Sequence, residues 1–325
     1  MTIRFRAASV ASLVVVCGFS VAAAGCGRYS ISSLKASKAF KDANQFYQAK
    51  DYKKAADRYE DVVQNQSALQ QYPGFTIAYF FLANSYDQLY KPAKNGDPQN
   101  DAYIQKAIEN YRKAADTITD PKWKKASLEY LSAAYGPDKL NDPAKAEPVY
   151  KEIIQLEPNE PQNYMALAQL YEDAGRYEEA EAELQKAKEV KPNDPTVYTG
   201  LAAFYNRQGD FDKTIDALTQ AANLAPNNPE GWHLIATYYW DKARKDFRLS
   251  DAQKKDYILK GIAMDDKALS LNPNYLEAMT YKNILLRMQA NAEKDPKVQK
   301  QLLNQADELR NKVLDAQKRK ASGKG

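Results

Sequence analysis

Two cysteines and one histidine are all that 325 residues contain of the common soft metal ligands and thiol nucleophiles, and both cysteines, Cys17 and Cys26, fall in the first 26 positions. The body of the chain therefore has no disulfide framework, no Cys/His zinc cluster and no Cys–His dyad. No metal site and no cofactor are expected. A catalytic reading has to pass through His233 or through carboxylates alone. Glu230, His233 and Thr237 sit one helical turn apart and could be drawn as acid, base and hydroxyl. Such spacings arise constantly by chance, and neither a strained nucleophile turn nor a Gly-rich phosphate loop accompanies this one. A surplus of charge is missing too. The net charge is +4, and without Arg4 and Arg6 the basic residues number 44 against 42 acidic, which gives no reason to expect nucleic acid.

What is present is a repeat. Pro158, Pro192 and Pro226 stand 34 residues apart, as do Pro161, Pro195 and Pro229. Tyr164, Leu167, Ala168, Tyr171, Gly175 and Tyr177 recur as Tyr198, Leu201, Ala202, Tyr205, Gly209 and Phe211. Each unit opens with proline just inside a helix, behind Glu160, Asp194 or Asn228 as cap. The apolar residues fall at i, i+3, i+4 and i+7 on one face, glycine supplies the turn, and Ala180, Leu184 and Ala187 line the second helix until Pro192 stops it. Neither helix can bury its apolar face alone, so such units are stable when stacked.

This 34-residue unit resembles the tetratricopeptide repeat, strongly over 161–228 and moderately over about 36–319. The resemblance implies an all-α, right-handed superhelical solenoid of about seven antiparallel helix pairs. By position, an array of six units covers 36–275, with insertions at 91–101 and 241–256 where Pro, Gly and Asn interrupt the pattern or the proline spacing lengthens. Ser250 and Gln253 form a candidate capping box, which predicts a break near Leu249 and a second helix running to Leu271. A degenerate pair over 276–318 would cap the array, and 319–325 is basic with the composition of a disordered tail.

The first 25 residues read as a targeting segment, with Arg4 and Arg6 ahead of an apolar run to Ala24. Ala23-Ala24-Gly25-Cys26 resembles a bacterial lipobox, departing from it at Ala23, where leucine is usual. That resemblance implies cleavage before Cys26, lipid attachment there, and residues 26–35 as anchor and linker. Gly27 lacks the aspartate that retains enterobacterial lipoproteins at the inner membrane, so the expected location is the bacterial cell envelope, on the outer membrane and facing the periplasm.

Tetratricopeptide arrays bind partners in the concave groove lined by their first helices. The positions left over from packing hold Phe80, Asn84 and Asp87, then Glu129, then Met165, Gln169 and Glu172. Thr199, Ala203 and Asn206 follow, then His233, Thr237 and Trp240, and last Thr280, Ile284 and Arg287. The basic set with which one subtype clamps a chaperone's terminal carboxylate is absent, so the wall suits an extended or helical peptide, with Phe80 and Trp240 as anchors. The expectation is a non-enzymatic, lipid-anchored scaffold for protein partners, of the architecture found in pilus-assembly pilotins and in outer-membrane insertion machinery. The alternatives are a periplasmic enzyme or enzyme subunit with a site near His233, and an envelope protein that self-associates through its C-terminal pair.

Overall fold

A computed structural model describes residues 31–322, and among them the chain forms fifteen α-helices and no strand. Cys26 and the rest of the targeting segment lie outside the described residues. The helices fall into two compact units divided at Ala180/Glu181. No helix among the described residues is long and apolar enough to cross a membrane.

The first unit holds α1 (Ile31–Gln48), α2 (Tyr52–Val63), α3 (Gln66–Gln71), α4 (Ile77–Leu89), α5 (Pro98–Thr117), α6 (Pro121–Tyr135), α7 (Pro143–Leu156) and α8 (Pro161–Asp173). Successive helices pack on each other, because the short connections turn the chain straight back. Local chemistry sets most of the starts. Asp51, Asp97, Asp120 and Asp142 each accept a backbone N–H of the first turn, and α5 to α8 all begin with proline. Glu160 makes no such side-chain cap, its carboxylate lying one methylene further from the backbone than that of aspartate.

In the first five repeats the turn between the two helices carries a left-handed residue. The residue before the second helix's cap is left-handed: Lys50 (φ 60°), Gly96 (96°), Asn141 (49°) and Gly175 (74°), with Gly209 (77°) in the second unit. At three of these turns the next N–H reaches back five residues, from Asp51 to Phe46, from Arg176 to Tyr171 and from Asp210 to Tyr205, at 2.8–2.9 Å, whereas Asp97 bonds to Lys94 and Asp142 to Tyr135. The five-residue return is the Schellman closure, and it satisfies carbonyls the helix end leaves open.

The second unit takes in the C-terminal part of α9 (Tyr177–Val190), then α10 (Pro195–Arg207), α11 (Phe211–Leu224), α12 (Pro229–Lys245), α13 (Asp251–Leu271), α14 (Leu276–Ala292) and α15 (Pro296–Ala321). Asp194 and Asn228 cap as the sequence implies, Asp210 caps α11 as well, and Ser250 with Gln253 forms the reciprocal capping box. At Gly261 of α13 a Cβ would come within 3.0 Å of Leu285 and 3.4 Å of the Tyr239 Cβ, so this glycine is what lets three helices approach.

Two side-chain bonds also recur with the repeat. Tyr164, Tyr198 and Trp232 each donate to the carbonyl of the proline six residues earlier, Pro158, Pro192 and Pro226, at 2.8–3.1 Å. The hydroxyls of Tyr86, Tyr171 and Tyr205 donate to Glu60, Glu147 and Glu181, while Lys106, Arg176 and Lys213 lie 4.2–4.8 Å from the centres of the same rings. At the middle member of this series Lys151 and Arg176 hold the Glu147 carboxyl down at about 2.

Several boundaries differ from the sequence reading. α1 begins by Ile31 rather than after residue 35, its first turn tied down where Asn65 donates to the Ser32 carbonyl. The insertion at 91–101 is not an open loop, since α5 starts at Pro98 and Asn100 bonds back to Lys91 and Lys94. That at 241–256 is mostly helix, leaving 246–250 as the break. α15 continues to Ala321 through residues assigned to the tail, with Lys318, Arg319 and Lys320 favourably placed at its C-terminus.

Candidate partner-binding surfaces

In the first unit, three of the expected groove residues are not on a surface. Phe80, Asn84 and Asp87 are 1%, 4% and 8% exposed. α4 is packed by α2, α5 and α6, and Trp123 and Tyr130 of α6 cover Phe80 with ring centroids 5.1 and 5.5 Å away. Asn84 and Asp87 belong to a chain of hydrogen bonds instead. Tyr47 donates to Asn84 Oδ1 at 2.6 Å, Asn84 Nδ2 donates to the Tyr111 hydroxyl at 3.2 Å, and that hydroxyl donates to Asp87 Oδ2 at 3.3 Å. Lys139 closes the chain on Asp87 Oδ1. Burial pushes the Tyr47 and Tyr111 phenols far up, so both remain donors across the physiological range.

The residues that do stand half-open on this side are Phe40, Tyr47, Phe81, Trp123 and Tyr130. Tyr47, Phe81 and Trp123 touch in series, at 5.3 and 5.6 Å, and Phe40 and Tyr130 join this sheet through the buried Tyr59 and Phe80. The groove register counted from the sequence misses them: Phe81 and Tyr130 each lie one position beyond a counted residue, Phe80 and Glu129, and no position was counted on α1 or at Trp123. The available signal was the density of aromatic residues on α1, α4 and α6. Further along, Glu129 is exposed and 3.8 Å from Lys125, with its carboxyl raised chiefly by burial. Met165, Gln169 and Glu172 are half-buried on α8, Gln169 donating to Asp173 at 2.7 Å.

In the second unit, Thr199 and Asn206 are exposed on α10, as an open wall requires, and Ala203 is half-buried. His233 is corrected from wall to core, being 9% exposed. Its Nδ1 lies 2.8 Å from Oδ1 of Asp265, which is fully buried on α13, and Tyr275 and Tyr281 meet its ring edge-on at 5.2 and 5.1 Å. Burial lifts the Asp265 carboxyl to about 6, against the opposing pull of His233. Neither Glu230 nor Thr237 is its partner: the Thr237 hydroxyl donates to the Leu234 carbonyl, and Glu230 is exposed at the start of α12. The acid–base–hydroxyl set drawn from spacing is thus not assembled.

Trp240 is half-buried, stacked edge-on against Tyr281 at 5.0 Å with Arg244 4.7 Å from its centre. Its Nε1–H, like Asp265 Oδ2, is buried with no hydrogen-bond partner. Thr280, Ile284 and Arg287 are half-buried on α14, and Arg287 bonds to Asn283 and Asp307. No group of His, Cys, Asp and Glu that could hold a metal occurs among the described residues.

The fold is thus an all-α helical repeat, the class of proteins that present surfaces to other proteins. Residues 139–204 match the family model described as tetratricopeptide repeat. Among solved structures, the C-terminal part of a TPR repeat-containing protein from Cytophaga hutchinsonii is 17% identical, with a TM-score of 0.50 over 85% of this chain and 94% of that one. A tetratricopeptide repeat protein from Parabacteroides merdae is 16% identical, with a TM-score of 0.43 over 84% and 99%. YrrB, described as a TPR protein with an unusual peptide-binding site, is 14% identical, with a TM-score of 0.37 over 66% and 95%. No curated protein sequence matches significantly. Residues 139–204 are thus tetratricopeptide-repeat sequence, within a chain whose described residues form an all-α helical repeat throughout. Repeats of this family bind peptide or protein partners and are typically non-enzymatic scaffolds.

Proposed function

We propose that this protein is a non-enzymatic scaffold of the bacterial cell envelope, held by lipid at Cys26 on the periplasmic side of the outer membrane, where it helps assemble an envelope or pilus complex. The observation that carries the binding role is the half-open sheet of rings formed by Phe81, Trp123 and Tyr130 on the first helices of successive pairs. Flat, rigid side chains of this kind offer large contact area for little conformational entropy, and they suit an extended or helical peptide carrying apolar and polar side chains in alternation. In the second unit Trp240 and Tyr281 extend the same chemistry. The lipobox-like Ala23-Ala24-Gly25-Cys26 supports the anchor, and Gly27 supports the outer membrane.

Two measurements test this reading. Mass spectrometry of the mature N-terminal peptide should show acyl chains on Cys26 that vanish in Cys26→Ser. In situ crosslinking should capture a defined set of envelope proteins, lost when Phe81 and Trp123 are both changed to alanine. Capture of the same set by that variant would remove the ring sheet as the binding surface.

A further inference from the structure

The outward side of α1 is unlike any other charged face of the first unit. Ile31 and Leu34 are 75% and 56% exposed, and Lys35, Lys38 and Lys41 are exposed beside them. These five residues fall at i, i+3, i+4, i+7 and i+10, which places them along one face of the helix. Ser33, Ala36 and Ala43 occupy the inner side. The first turn cannot roll to bury its apolar pair. Ser32 donates to Asn65 Oδ1 at 2.6 Å, and Asn65 Nδ2 donates back to the Ser32 carbonyl at 2.9 Å.

The charges on this face are also left open. On α2 the cations are matched within a turn: Lys53 to Asp57 at 2.8 Å, Lys54 to Asp51 at 2.8 Å and Arg58 to Asp61 at 3.0 Å. Among the described residues no ion pair involves Lys35, Lys38 or Lys41, and the first acid on α1 is Asp42, beyond all three. Two exposed apolar side chains followed by three unmatched lysines match the chemistry of a bilayer surface, apolar below and phosphate above.

We infer that this face of α1 rests on the membrane, with Ile31 and Leu34 entering the interfacial layer and the three lysines lying over the phosphates of anionic lipid. The inference rests on the lipidation reading in one respect. Ile31 is five residues from Cys26, so an acyl-bearing Cys26 would hold the start of α1 within about 17 Å of its attachment point, whatever path the chain takes between them. The acyl chains would supply the attachment, and α1 would set the orientation in which the first unit leaves the bilayer.

The test uses the full chain, produced with its leader and reconstituted into vesicles of phosphatidylcholine alone or mixed with phosphatidylglycerol. A nitroxide is placed at Leu34→Cys and, for reference, at the exposed Gln105→Cys of α5, and collision with oxygen is compared with collision with a water-soluble nickel chelate. Expected is a label at position 34 that favours oxygen in the anionic vesicles and returns to the aqueous value when Lys35, Lys38 and Lys41 are all changed to glutamate. A label at position 34 as nickel-accessible as the reference, in protein whose mass shows an acylated Cys26, overturns the membrane face and leaves the anchor standing. Protection seen in native membranes but not in lipid vesicles would assign the face to a protein and overturn it equally.

An unacylated Cys26 would sink the anchor reading separately. Cosedimentation of the unlipidated chain with phosphatidylglycerol vesicles then decides. Binding that weakens by at least roughly a hundredfold on reversal of the three lysines supports the face, since loss of each lysine near an anionic surface is alone worth about a fivefold factor. No binding by the unsubstituted chain overturns it.

Discussion

The same place in the repeat holds Phe80 in the first unit and His233 in the second, and both have been taken out of the groove and into the core. In the first unit Trp123 and Tyr130 of α6 do the covering, and every polar group of the adjoining Tyr47–Asn84–Tyr111–Asp87–Lys139 chain finds a partner. In the second unit Tyr275 and Tyr281 cover His233, but Asp265 keeps one oxygen unpaired and Trp240 keeps an unpaired N–H. At the intervening repeats the equivalent residues, Met165 and Thr199, are half-buried and exposed. Whether a groove position is wall or core therefore depends on the size of the rings that the next first helix brings over it. How well such a position is satisfied decides what it costs to disturb.

The largest effect should come from removing the covered ring beside the satisfied hydrogen-bond chain. Phe80→Ala deletes a side chain held by four aromatic neighbours and is expected to destabilise the first unit by about 3–5 kcal/mol, read as a fall in urea midpoint. Thr199→Ala, at the same repeat position but exposed, should stay within about 0.5 kcal/mol. Near-equal losses would erase the distinction between covered and open repeats.

The unsatisfied unit should respond to pH. Asp265 titrates near 6 in the folded chain, above its ordinary value of 3.8, so the folded state holds a proton that the unfolded state releases. That contribution is fully present below about pH 4 and lost as pH rises through 6, a change of about 3 kcal/mol. Nearby Asp266 adds to the upward shift and Lys282 opposes it. Denaturation from pH 4 to 8 should show this slope in the second unit, and Asp265→Asn should flatten it. A slope unchanged in Asp265→Asn would place the titration elsewhere.

A smaller loss, about 1–3 kcal/mol, is expected for Gly261→Ala, whose new methyl group meets Leu285 at 3.0 Å. Gly74→Ala in the first unit meets nothing within 4 Å and serves as its control. The smallest effect concerns the shared turn. Asn141→Gly relieves a left-handed non-glycine residue and should stabilise by a few tenths to about 1 kcal/mol, whereas Gly175→Ala at the equivalent position should destabilise by about 1 kcal/mol. Equal responses at the two positions would show that the left-handed conformation is not what sets the cost at these turns.

Much of the fold was legible before any coordinates, for reasons that are local. Proline at the first helical position, aspartate or asparagine before it, and glycine at the left-handed residue act within one turn of the backbone, so their 34-residue recurrence places helix ends directly. Ser250 with Gln253 marks the start of α13 in the same way. The ends that were missed are those held from a distance. α1 starts early because Asn65 bonds to Ser32, 33 residues away, and α3 was not anticipated because six residues are too few for a period.

The candidate site was less legible. Periodicity correctly assigned Leu167, Ala168, Leu201 and Ala202 to the buried face. It cannot say whether the neighbouring stripe stays open, because that depends on side chains 43 residues further along, Phe80 to Trp123, or 32 residues further, His233 to Asp265. The sequence by itself determined the repeat, the helix ends set by local caps and the scaffold class, since these follow from nearest-neighbour backbone chemistry and a fixed period. The tertiary structure alone decided that Phe80, Asn84, Asp87 and His233 are core, that Phe81, Trp123 and Tyr130 form the open sheet of rings, and that α1 shows an unmatched basic face. Burial is a property of what comes to lie on top of a residue, and no local pattern contains that.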